Sequence, residues 1–259
     1  MDRFSKLIIV IVVVAIICLV LFLIPNPPGA QPAPWNGSVL WAAWAEGLKV
    51  LSTLITAIVG LYYGYTANLL GSVRGPVKLI GYGCLFLTAG AAFELVMRIQ
   101  GNDAEVLTWA SILFAIGAIL VIIALFSLPF RVGNPMSSKQ KLAYGALIAL
   151  LIGITASIFI FHPESAHLSL PEILTCATYD VFILLIFIAS IRLVILFWSG
   201  KMGRPFMLIA TSGFLIGVYE YYVWMPFVHN LSIFNPIHIL WIVGFLFTAI
   251  GIIDFEVKE

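Results

Sequence analysis

Apolar runs of 17 to 28 residues recur eight times along the chain, separated by short stretches of Pro, Gly, Asn and charge. The runs cover 7–24, 39–66, 77–98, 106–128, 142–161, 171–198, 205–228 and 237–253. The separators include "PNPPGAQPAPWNGS", "GSVRGP", "QGNDAE" and "HPESAHLSLPE". A helix needs roughly 20 residues to cross about 30 Å of hydrocarbon. In lipid a helix satisfies its own backbone, so breaks belong at the water interfaces. The pattern predicts an all-α, polytopic integral membrane protein with eight transmembrane helices. The first run is longer than the apolar core of a signal peptide, roughly 7 to 15 residues, and no A-x-A site follows it. It is therefore read as a retained span.

Composition agrees, because only 10% of the residues are charged, too few to cover a water-soluble surface. Charge then orients the spans. Arg3, Lys6, Arg74, Lys78, Arg131, Lys139, Lys141, Arg192, Lys201, Arg204 and Lys258 fall on one side; Lys49 and Arg98 lie toward the other. By the positive-inside rule this places both termini in the cytoplasm, in a cell membrane. The opposite side collects Glu46, Glu94, Asp103, Glu105, Glu164, Glu172, Asp180, Glu220 and all four histidines. A basic inner rim reads as topology and anionic-lipid contact, so the expected partner is the bilayer and no nucleic acid. Cys18, Cys84 and Cys176 lie in separate spans without C-x-x-C spacing and read as packing residues.

The two halves resemble each other. "GPVKLIGYGCLFL" (75–87) aligns with "RPFMLIATSGFLI" (204–216), matching Pro76 with Pro205 and Leu79-Ile80 with Leu208-Ile209. Each segment leads through an outer loop to a Trp-containing helix, at Trp109 and Trp241. Residues 1–131 and 132–259 are thus expected to form a parallel internal repeat of two four-helix bundles within one membrane domain. Small-xxx-small spacing at Gly60/Gly64 and Gly213/Gly217 predicts close helix contacts. Trp35, Trp41, Trp44, Trp109, Trp224 and Trp241 are expected in an outer aromatic belt, with Trp198 at the inner interface.

Ionisable residues inside the spans are the candidate chemistry. Glu46, Lys49, Glu94, Arg98, Asp180 and Glu220 all fall in the outer third of their helices. A charge at the bilayer centre costs on the order of 2.5–3.5 kcal/mol, so these side chains should face the bundle interior. Glu46 with Lys49 (i,i+3) and Glu94 with Arg98 (i,i+4) can pair within one helix. Asp180 and Glu220 have no such neighbour in sequence. The expectation is an outward-facing acidic cavity that binds or conducts a proton or small cation, with Tyr219, Tyr221 and Tyr222 of "VYEYYVWMP" adding hydroxyls around Glu220. A structural reading, in which the same residues only fix helix rotation, uses no ligand.

His162, His167, His229 and His238 lie at outer helix ends or loops, which excludes a haem held across the membrane. They remain weak candidates for a superficial metal ion. "ELVMR" and "FNPIH" partly resemble motifs of CAAX-type intramembrane proteases, but Phe93 replaces the first glutamate of that pattern and its third motif is missing. No other catalytic motif occurs, so an enzyme acting alone is not expected. Two alternatives remain: a cofactor-free membrane anchor of a respiratory or redox complex with a quinone-type site and outer-face partner subunits, or a scaffold subunit.

Overall fold

A computed structural model describes residues 39–66, 71–100, 109–132, 136–161, 170–197, 203–224 and 238–255. Of these, 97% are helical and none is in a strand. Seven helices follow one another: α1 (Val39–Thr66), α2 (Gly71–Ile99), α3 (Trp109–Val132), α4 (Ser138–Phe161), α5 (Leu170–Phe197), α6 (Gly203–Trp224) and α7 (His238–Asp254). Each coincides with an apolar run of the sequence; the run at 7–24 lies outside the described residues. Four helices contain stretches long and apolar enough to cross a membrane: Glu46–Thr66, Ser72–Met97, Trp109–Pro129 and Ile173–Phe197. Helix α7 is apolar but shorter, at 17 residues.

Helix α2 begins six residues before its apolar run and passes through Pro76. Proline there removes one backbone hydrogen bond. Val73 and Val77, on either side of it, are fully buried, and this packing offsets the loss.

Six helices close a ring. α1 packs on α2, α2 on α3, α3 on α5, α5 on α6, α6 on α7, and α7 back on α1. Helix α4 lies outside the ring, against α5. Glycines set the closest approaches. A Cβ on Gly60 of α1 would meet the Gly81 Cα of α2 at 2.8 Å, and one on Gly117 of α3 would meet the Gly83 carbonyl oxygen at 2.8 Å. Gly213 and Gly217 of α6 face Ser190 and Phe187 of α5, and Gly251 of α7 faces the Pro205 carbonyl. Without a hydrophobic drive between helices in lipid, such backbone-to-backbone contact supplies the packing attraction.

The ring has two chemically different ends. At one end Arg204 and Asp254 pair across α6 and α7 at 3.1 Å. Above them Phe197, Phe206 and Phe255 interlock, the first two stacked with centroids 3.8 Å apart. Leu128, Leu193 and Ile252 are completely buried around the same core. The other end carries Glu46, Lys49, Glu94 and Glu220.

Trp241 departs from the expected belt. It is 4% exposed, enclosed by Phe114, Tyr219 and Phe245. Trp109, by contrast, is 70% exposed. The difference is rotational: Trp241 occupies the inward face of α7 with Phe245 and Thr248, a helical i, i+4, i+7 stripe.

Candidate functional site in the acidic end of the ring

Helix α1 brings a polar ladder into the protein. Glu46 and Lys49 are buried, and the Lys49 ammonium donates to Glu46 Oε1 at 3.0 Å. One and two turns deeper, Ser52, Thr53 and Thr56 bury their hydroxyls by donating to carbonyls of their own helix. Two contacts extend the ladder to neighbouring helices. Thr56 also reaches the Phe245 carbonyl of α7 at 2.8 Å, and Thr88 of α2 donates to Thr53 at 3.0 Å. Helix α1 is thereby fixed in rotation with its ion pair pointing inward.

A cavity opens beside that pair, walled by all six ring helices and by no residue of α4. It offers about 100 Å³ to the centres of water-sized molecules. Lys49, Glu94, Tyr179, Tyr219 and Glu220 line it from α1, α2, α5 and α6. The rest of its wall is predominantly apolar, including Leu87, Phe114, Phe182, Ile186, Ile216 and Phe245. The ionisable side chains thus form a rim and the hydrocarbon side chains a body.

Contacts within the rim are specific. The Lys49 ammonium lies 5.2 Å from the centroid of the Tyr219 ring, within cation–π range. The Tyr179 hydroxyl donates to the Ser111 carbonyl of α3 at 3.0 Å. Glu94 and Glu220 remain half-buried while Glu46 is fully enclosed, so the rim grades from sealed to accessible. At about 1.5 Å per residue, Glu94 lies about 8 Å and Glu220 about 6 Å inside the ends of their helices.

The residues singled out in sequence separate as follows. Lys49, Glu94 and Glu220 line one cavity, and Glu46 stands behind it through its bond to Lys49. Asp180 is half-buried on α5 and is not among the lining residues; its neighbour Tyr179 takes that position. Arg98 and Tyr221 belong to α2 and α6, but their side chains lie outside the described residues. His162, His167 and His229 lie outside them as well. His238 opens α7, is 4% exposed, and packs 5.7 Å from the Tyr219 ring. Among the described residues no three His, Cys, Asp or Glu side chains gather closely enough to hold a metal ion.

Sequence reasoning missed Tyr179 and Trp241 as site residues, and named Tyr219 only together with Tyr221 and Tyr222. A signal for Tyr219 was present: Ser212, Gly213, Ile216, Tyr219 and Glu220 follow the i, i+1, i+4, i+7, i+8 spacing of one helix face, and all five line the cavity.

The arrangement can hold a polar group at its rim, exchange protons with it through carboxylate and phenol, and exclude bulk water below. Comparison of the chain with protein-family models, curated proteins and solved structures finds no match.

Proposed function

We propose that this is a multi-pass protein of the cell membrane whose cavity takes up a proton or small cation at the Glu94–Glu220 rim. The observation that carries the reading is convergence. Three ionisable residues from three helices, Lys49, Glu94 and Glu220, line one cavity at the same end of the ring. Lys49 and Glu46 pair at close range, and the two carboxylates that line the cavity itself are Glu94 and Glu220. Carboxylates partly withdrawn from water are the usual equipment of proton and cation sites.

The proposed topology has eight spans, with 7–24 as the first and both termini cytoplasmic. The rim then faces outward, and the Phe197–Phe206–Phe255 cluster closes the cytoplasmic side. The 4+4 repeat is supported by the ring itself. Exchanging α1, α2 and α3 with α5, α6 and α7 turns the α1–α7 contact into the α5–α3 contact, and both exist.

The test is uptake by the purified chain in proteoliposomes, followed by a pH-sensitive dye and by cation flux. Glu94→Gln and Glu220→Gln should each lower uptake at least tenfold, while Asp180→Asn should leave it near the starting value. Uptake unchanged in both glutamine variants would refute the proposal. If the chain alone does nothing yet recovers function with an electron-carrying outer-face subunit, the redox-anchor reading takes over.

A further inference from the structure

We infer that the cavity is built for an amphipathic small molecule: a compact, ring-sized apolar body with a polar head among Lys49, Glu94, Tyr179 and Glu220. This rests on the rim being the ligand-binding end, as proposed above, and adds the chemical class of what enters.

The first observation is size. The centre of one water needs only about 10–15 Å³, so about 100 Å³ is several times what a proton relay or bare cation requires. The second is lining. Apart from its ionisable residues the wall is largely Leu87, Phe114, Phe182, Ile186, Ile216 and Phe245, which offer a dehydrated ion no oxygen ligand. Two other polar residues of the wall, Ser212 and Thr248, hydrogen-bond to each other at 2.5 Å. Ligand sites are characteristically concave and apolar, with a few polar groups that set orientation.

The third observation is a donor with nothing to bind. Trp241 lines the cavity, is 4% exposed, and its indole N–H meets no acceptor among the described residues. Burying an unsatisfied N–H costs roughly 1–3 kcal/mol. A head group or its bound water would satisfy it.

The fourth concerns why the space persists. Protein interiors normally close such voids. Here the walls already touch where glycines allow: Gly83 against Gly117 between α2 and α3, Gly213 against Ser190 between α5 and α6, and Gly244 against Ile216 between α6 and α7. At these seams the helices have no slack left to close, so they resist moving inward to fill the centre. The void is a product of the ring, and it ends on the close-packed Leu128, Leu193 and Phe206.

The experiment is ligand-induced thermal stabilisation of the full chain in detergent micelles, with three probes. Tetramethylammonium supplies a cationic head alone; benzyltrimethylammonium adds a ring; menadione offers a ring with neutral acceptor oxygens. At least one ring-bearing probe should bind ten times more tightly than tetramethylammonium. Stabilisation by the better benzyl probe identifies a cationic head, and by menadione a quinone-type head. Ala118→Leu, which fills the body from α3, should weaken the ring-bearing probe at least tenfold and leave tetramethylammonium unchanged. Ile186→Phe repeats the test from α5 should Ala118→Leu fail to fold. Equal affinity for head and ring-bearing probes, no stabilisation by either ring-bearing probe, or wild-type affinity in the filled variants would each overturn the inference. Glu220→Gln separates the two proposals: ring-bearing probes that bind with no dependence on Glu94 or Glu220 would sink the rim reading while leaving the apolar body intact.

Discussion

Helices α1 and α4 are similar in sequence character, and the fold treats them oppositely. Both are long apolar segments, of 28 and 24 residues, with a few polar groups near the start. Yet α1 is a wall of the ring, and α4 lies outside it with Leu142, Leu147, Leu150 and Ile152 exposed. The difference is in small and polar residues. Gly60 and Gly64 of α1 press against α2, whereas a Cβ on Gly145 or Gly153 of α4 would meet nothing within 4 Å. Helix α1 buries Glu46, Lys49, Ser52, Thr53 and Thr56; α4 reaches α5 through the half-buried Tyr144 and Gln140. An apolar side chain gains little by leaving acyl chains for protein, so hydrophobicity cannot choose which helix goes inside. Backbone proximity and buried polar groups make that choice.

The largest break in this contrast should come from the ion pair. Lys49→Met strands the Glu46 carboxylate where its side chain has no exposure, and removing one member of a buried pair costs about 3–5 kcal/mol. The double variant Glu46→Leu/Lys49→Met removes both charges and should recover most of that loss. Reversible unfolding of the micellar protein measures both. A double variant as unstable as the single one would show that the loss does not come from an uncompensated buried charge.

Next in size are the glycines. Gly60→Ala in α1 drives a Cβ into the α2 backbone, which an ideal Cβ would meet at 2.8 Å from the Gly81 Cα and 2.9 Å from its amide nitrogen. Because the obstacle is backbone, no rotamer relieves it, and overpacking of this kind costs about 1–3 kcal/mol or more. The matching changes in α4, Gly145→Ala and Gly153→Ala, should be neutral or stabilise by up to about 1 kcal/mol, since alanine is the better helix former. Equal destabilisation on the two helices would mean that α4 carries packing comparable with that of α1.

The same contrast explains what was legible beforehand. Helix positions were readable to within about half a dozen residues, because apolar runs end at Pro, Gly and charge, and lipid forces those breaks to the surface. Ring closure was not, since helices apolar on all sides carry no stripe that says which neighbour they face. Charge at Lys49, Glu94 and Glu220 was conspicuous against that background. Tyr179 and Trp241 were hidden, because an aromatic near a helix end reads equally well as interfacial belt. Asp180 illustrates the limit of depth as a guide: at about 100° of rotation per residue, one position along α5 separates it from the cavity-lining Tyr179.

The finest distinction lies between single interhelical hydrogen bonds. Thr56 joins α1 to α7 through the Phe245 carbonyl at 2.8 Å, and Tyr144 joins α4 to α5 through the Ile188 carbonyl at 3.1 Å. Each acceptor is a helical carbonyl that keeps its own ladder bond, so losing the hydroxyl leaves no orphan. Thr56→Val and Tyr144→Phe should therefore each cost only about 0.6 kcal/mol in global unfolding, the typical value for such bonds in membranes. Their local consequences should differ. Hydrogen exchange or protease sensitivity at α4 should rise in Tyr144→Phe, because that bond is a larger share of what holds α4 in place. Thr56→Val should leave α1 as protected as before, held by the Glu46–Lys49 pair and the Gly60–Gly81 contact. Loosening of α1 by Thr56→Val alone would mean that the ring depends on its polar cross-links more than on its backbone contacts.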